Sequence, residues 1–155
     1  MRAQIDSEDL PADRHSVLVM RNCRPIGAPG FPEWGHIPIP RVLLRQEVTD
    51  VVRISDARMS GTSFGTVVLH MAPDSAIGGR LAVVRTGNEI ELDCLEPPDR
   101  DPDSVEQLQR RIAAFQPSPP KYDRDYGWLF LQHVTQALRS TWAGCDFDFL
   151  QKTPR

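Results

Sequence analysis

The sequence lacks any long apolar run. Nothing in it approaches the roughly 18 consecutive apolar residues of a membrane-spanning helix, so no membrane partner is expected. Met1 to Asp9 is acidic and has no apolar signal core, which gives no mark for secretion. Cysteine is scarce: Cys23, Cys94 and Cys145 are odd in number, far apart and outside any C-x-x-C pair, which argues against a disulfide framework. A reduced cytoplasm fits that usage. Basic excess is also missing. With 18 Lys and Arg against 21 Asp and Glu, the net charge is -3, so the basic face that binds nucleic acid is not expected. There is no internal repeat and no low-complexity segment.

What is present is an ordinary globular composition. The 155 residues, 40% hydrophobic and 25% charged, suffice for one domain with a real core. Residues 1–15 are polar and acidic and read as a flexible lead-in. Residues 16–95 read as a β-rich core. Residues 96–155 read as the helices and docking tail of the same domain.

Within the core, Ser16 to Arg21, Val51 to Ile54, Thr66 to Leu69 and Leu81 to Val84 are apolar runs bounded by turn formers, the pattern of strands. Thr86-Gly87-Asn88, followed by Glu89 to Leu92, reads as a hairpin turn. Residues 22–40 are dense in proline and glycine and form a stiff irregular loop. Pro40 to Gln46 suits a short helix with proline at its first turn. Pro73 to Ala76 suits a helical turn ahead of Gly78-Gly79. After a charged, proline-rich break at 95–103, Ser104 to Gln107 is a capping box opening a helix to about Phe115, with Val105, Leu108, Ile112 and Phe115 on one face. A second helix is expected from Tyr126 to about Arg139, and Gly144 to Leu150 alternates like an extended docking tail. The sum is a mainly β fold with peripheral helices (α+β), a small barrel or sandwich.

The turn after Val51–Ile54, which contains Ser60-Gly61-Thr62, is the natural place for function, because a rigid sheet can aim loop side chains at a ligand. The same residue types also make an ordinary tight turn. Glu33, on the stiff loop, could be a hard-oxygen metal ligand or a solvated carboxylate. His36, in the proline loop, could line the site but suits a surface place better, and His70 suits a structural place at a strand end. Asp146 and Asp148 alternate with Phe147 and Phe149 and read as outward partners of the tail rather than a catalytic pair.

Ile54-Ser55-Asp56-Ala57-Arg58-Met59-Ser60-Gly61-Thr62, with His70 to Pro73 and Gly78-Gly79, resembles the C-terminal signature of the dihydroxy-acid and 6-phosphogluconate dehydratase family. Arg21-Asn22 with Gly27 to Glu33 is similar to the family's glycine-proline loop. Leu129 to Ala137 with Gly144 to Leu150 is similar to its C-terminal tail. Ala57, Met59 and Thr62 look more like the sugar-acid branch, the pentonate (arabinonate or xylonate) dehydratases. The resemblance runs from about Val17 onward. It implies a swivelling β-barrel-like domain, here lacking its first strands, with an insertion near Leu138–Ala143.

The resemblance also implies a hydro-lyase. Ser60 matches the base that removes the proton α to a carboxylate. Gly61 and Thr62 would contact the substrate carboxylate, and Glu33 matches a magnesium ligand. A serine is a very poor base unless a cation stabilises its alkoxide, so such chemistry needs Mg²⁺ nearby. The iron–sulfur cluster of the family is held by cysteines of an N-terminal domain to which Cys23, Cys94 and Cys145 do not correspond. The chain would then be the C-terminal part of a sugar-acid dehydratase, partnered by an iron–sulfur domain or subunit. Alternatively it is a non-catalytic remnant that docks onto a full-length dehydratase or forms a homo-oligomer.

Overall fold

The computed structural model describes residues 5–92, 102–134 and 147–150. Three short strands form its sheet: β1 (Leu18–Met20), β2 (Arg53–Ser55) and β3 (Val67–Val68). They run parallel in the order β1-β2-β3, with Val19 opposite Ile54 and Ile54 opposite Val68. All three residues of the central strand, Arg53, Ile54 and Ser55, are buried, so its two polar side chains need hydrogen-bond partners inside the fold. Leu18 extends the β1 pairing by donating to the Val52 carbonyl at 2.9 Å.

Two clusters flank this sheet. Met20, Cys23, Ile37 and Ala57 form one, with Ile5 and Leu18 against it. Leu43, Val48 and Val51 form the other, with Ala12, Ile39 and Val42 against it. Leu43 is fully buried from the one-turn helix α1 (Arg41–Leu44). As expected, proline precedes its first turn, and the Pro40 carbonyl accepts from Leu43 and Leu44.

The run Leu81–Val84 is not a strand. Arg80–Val83 forms a 3-10 turn instead. At its start the backbone passes so close to Pro73 that a Cβ on Gly79 would lie 2.0 Å from the Pro73 carbonyl oxygen. Arg21 Nη1 then donates to the carbonyls of Leu81, Ala82 and Val84 at 3.5, 2.6 and 3.1 Å, occupying acceptors that a strand would offer to a ladder. The turn at Thr86-Gly87-Asn88 does form, closed by Asn88 N–H to the Arg85 carbonyl at 3.0 Å, yet residues 89–92 are not a strand and no hairpin results. Without these runs the fold is a small α+β unit, not a mainly β one. No barrel closes among the described residues, because β1 and β3 are sheet edges.

The helical expectations fare better. Asp74 to Gly78 makes the anticipated turn, a 3-10 turn at Ser75–Ile77 capped by the Asp74 side chain. Helix α2 (Pro102–Ala113) starts two residues before the capping box and ends in bonds from Ala114 and Phe115. Val105, Leu108, Ile112 and Phe115 are its partly buried face. Helix α3 covers Asp125–His133. Val134 then bridges antiparallel to Phe147, and the Phe130 and Phe147 rings meet edge-on at 6.2 Å, so the tail docks there. Beyond the bridge, Asp148–Leu150 turns into 3-10 geometry rather than continuing extended. Cys94, Cys145, Asp146, the segment Leu138–Ala143 and most of the break at 95–103 lie outside the described residues.

Candidate functional site

The chain leaves β2 through Ser55 and Asp56, both fully buried. A buried carboxylate needs donors, and Asp56 has four bonds: from the N–H of Asn22 (3.1 Å), Cys23 (3.0 Å) and Ser75 (3.2 Å), and from the Ser75 hydroxyl. Asp74, also fully buried, accepts from the N–H of Ile26 (2.9 Å), Gly27 (3.4 Å) and Ala76 (2.9 Å). These two carboxylates fasten the start of the glycine-proline loop to the end of β2 and to the 74–76 turn. Burial raises the Asp74 carboxyl above its ordinary range, against the lowering pull of its backbone donors. The Cys23 thiol is pushed up to about 12 by burial, then by the neighbouring charges of Asp56 and Asp74, so it stays protonated.

Two arginines then fix the loop after β2. Arg53 is buried, 3% exposed. Its Nη1 donates to the Ile37 carbonyl (3.1 Å) and to Ser63 Oγ (3.4 Å), its Nη2 donates to the Phe64 carbonyl, and Asp50 Oδ1 lies 3.7 Å away. At the other end, Arg58 Nε donates to the Phe31 carbonyl and Nη1 lies 3.2 Å from Glu33 Oε1. The Arg58 guanidinium also sits 5.6 Å from the Phe31 ring centre, and the Arg58 carbonyl accepts from Gly35 N–H at 2.8 Å. Both ends of the 58–64 loop are therefore tied to the glycine-proline loop.

Ser60, Gly61 and Thr62 lie between those anchors, all exposed. Gly61 has φ +85° with open space around it, so its glycine serves the backbone rather than a tight contact. The structure thus brings the Ser60 loop and the Glu33 loop together, with Arg58 as the link. His36 is exposed and not part of this link. His70 is half-buried, edge-on to Phe31 at 6.0 Å, and its Nδ1 has no hydrogen-bond partner. Burial first, then Arg24 and Arg58, hold the His70 imidazole below its ordinary value, which favours the neutral ring. Asp148 lies 3.0 Å from His133, away from this loop in a partnered tail contact.

Asp56, Asp74, Arg53 and the linking role of Arg58 were not singled out from sequence. One signal was available: a lone arginine inside Val-Val-Arg-Ile, with an aspartate two residues past the run, points to buried charge if the run is a buried strand, and buried charges require partners.

Magnesium needs several oxygen ligands. Among the described residues no three of His, Cys, Asp and Glu gather into a group that could hold a metal ion, and Glu33 already faces Arg58. These residues by themselves do not fit a magnesium ion or an iron–sulfur cluster. No described helix is long and apolar enough to cross a membrane.

Residues 1–141 match the family model described as dihydroxy-acid/6-phosphogluconate dehydratase C-terminal. The chain is 50% identical over 147 residues to a 6-deoxy-6-sulfo-D-gluconate dehydratase of Pseudomonas putida, covering 95% of this chain and 25% of that protein. It is 46% identical over 158 residues to an L-arabonate dehydratase of Azospirillum brasilense, covering 98% and 26%. With a dihydroxy-acid dehydratase of Chloroflexus aurantiacus the identity is 39% over 108 residues, 70% of this chain and 19% of that protein. The chain thus spans about a quarter of the length of the sugar-acid relatives it matches, and its identity to them exceeds that to the dihydroxy-acid dehydratase. The chain belongs to the dihydroxy-acid/6-phosphogluconate dehydratase family, and it corresponds to the C-terminal part of that family's proteins.

Proposed function

We propose that the chain is the C-terminal part of a sugar-acid dehydratase, a hydro-lyase of the cytoplasm. It would remove water from an aldonic acid to give a 2-keto-3-deoxy acid. The observation that carries this reading is the Ser60-Gly61-Thr62 loop, exposed between the Arg53 and Arg58 anchors in a chain 46–50% identical to sugar-acid dehydratases.

Ser60, as its alkoxide, would take the proton from the carbon next to the carboxylate. The hydroxyl on the adjacent carbon would leave as hydroxide and take that proton back from Ser60, so that water is lost and the base regenerated, and the resulting enol tautomerises to the 2-keto acid. The Gly61 N–H and the Thr62 hydroxyl offer donors to the substrate carboxylate. Anchoring at both loop ends holds Ser60 in place without immobilising it through its own side chain. Glu33 would be this chain's one carboxylate toward a magnesium ion, and the remaining ligands would have to come from a partner domain or subunit. The described residues supply no ligand set, so no step is assigned to a metal or a cluster here.

The test is purification of the native complex formed by a tagged copy of the chain in its source cells, followed by turnover assays on aldonic acids. Co-purification with a larger iron-containing subunit, and loss of turnover on Ser60→Ala, is the expected result. A complex without iron and without turnover would instead make the chain a non-catalytic interaction domain. Turnover unchanged by Ser60→Ala would remove Ser60 from the chemistry.

A further inference from the structure

A concave site lies between the 3-10 turn at Arg80–Val83 and helix α2. It has a volume of about 520 Å³, within the range of small-molecule sites. Arg21, Arg85, Arg110 and Arg111 all line it, with Gln107 and Phe115, and no described Asp or Glu does. In a chain of net charge -3, four guanidinium groups in one cleft are a costly arrangement unless something of opposite charge relieves it.

For Arg21 and Arg111 the partners do not supply that relief. Arg21 is positioned by three backbone carbonyls, which are neutral. Arg111 is positioned by two side-chain amides: Nη1 donates to Asn88 Oδ1 at 3.0 Å and Nη2 to Gln107 Oε1 at 3.1 Å. Asn88 is itself held, because its Oδ1 also accepts from Arg85 N–H at 2.9 Å. Arg110 has an ion pair, with Glu106 at 2.6 Å, and that carboxylate is one turn along an exposed helix face rather than in the cleft. Neutral acceptors thus orient the Arg21 and Arg111 forks while leaving their charge uncompensated. Planar forks held in this way match phosphate oxygens two at a time. Ala82, Val83, Ala114 and Phe115 add apolar lining.

We infer that this cleft binds a multiply charged phosphorylated small molecule. Its binding does not depend on the dehydratase reading, since none of its residues belongs to the Ser60 loop.

Calorimetric titration of the full chain with pyrophosphate tests it. Expected is saturable one-site binding that weakens as sodium chloride is raised, since exposed charge pairs are screened. Loss of two charge-assisted contacts in Arg85→Gln/Arg111→Gln should weaken it by about tenfold or more. Ser60→Ala should bind like the parent. Arg111→Lys keeps the charge and loses the fork, and should fall between. Circular dichroism establishes that each variant is folded. If pyrophosphate does not bind the parent, or binds the double variant equally well, the inference is wrong. Binding that the salt leaves unchanged would also overturn it.

Discussion

The Arg58 guanidinium stands 3.2 Å from the Glu33 carboxylate, and this contact joins the two segments that carry the predicted site residues. Both side chains are about two-fifths exposed, so solvent screens the pair. Glu33→Gln should therefore cost less than about 1 kcal/mol. Arg58→Ala also removes the bond to the Phe31 carbonyl and the stacking on its ring, and should cost more, about 1–2 kcal/mol. Urea denaturation midpoints of the two variants decide this. Equal losses would mean that the ion pair, not the loop anchor, is what Arg58 contributes.

Asp56 is the junction of β2, the glycine-proline loop and the 74–76 turn. In Asp56→Ala the buried N–H groups of Cys23 and Ser75 lose their acceptor. A loss of about 2–5 kcal/mol in unfolding free energy is expected. A loss below about 1 kcal/mol would show that water or a shifted backbone replaces the carboxylate.

Asp74 gives a dependence on pH with a definite sign. Its carboxyl is raised in the folded state above the ordinary 3.8. Between those two values the folded protein holds more proton than the unfolded chain, so Asp74's contribution falls as pH rises through the folded value. It is fully present below 3.8. Asp74→Asn does not titrate. Its stability deficit relative to the parent should be largest in acid and shrink toward neutral pH. Chemical denaturation across that range measures it, and a deficit that grows with pH would contradict the burial argument.

Cys23 should be inert while the chain is folded. It is 3% exposed and its thiol sits at about 12, so little thiolate exists at neutral pH. Mass spectrometry after brief maleimide treatment should find Cys23 unmodified in native buffer and fully modified in denaturant. Rapid native labelling would mean that the Met20–Ala57 cluster opens readily.

The sequence was most legible where local chemistry decides the outcome. Pro40 ahead of α1, the Asp74-capped turn and the apolar face of α2 all follow from residues close in the chain. The strands at Leu18–Met20, Arg53–Ser55 and Val67–Val68 overlap the runs Ser16–Arg21, Val51–Ile54 and Thr66–Leu69 read from sequence, although their parallel pairing was not readable. The misreading at Leu81–Val83 has a long-range cause: Arg21, sixty positions earlier, claims the carbonyls. For the same reason, the Ser60 loop could be singled out but its anchors could not. Arg53 and Arg58 act on Ile37 and Phe31, and no local pattern encodes those contacts.

The parallel order of the sheet also has a kinetic side. Leu18 meets Arg53, and Arg53 meets Val67, each only after a connecting segment has been traversed, and no tight hairpin joins any neighbouring pair. Each pairing must close a loop before it yields a single ladder bond, so the loop entropy is lost first and recovered late. Helix α2 and the capped turn can form on their own within microseconds. The sheet, and with it the seat of Ser60, is then the slow part of folding.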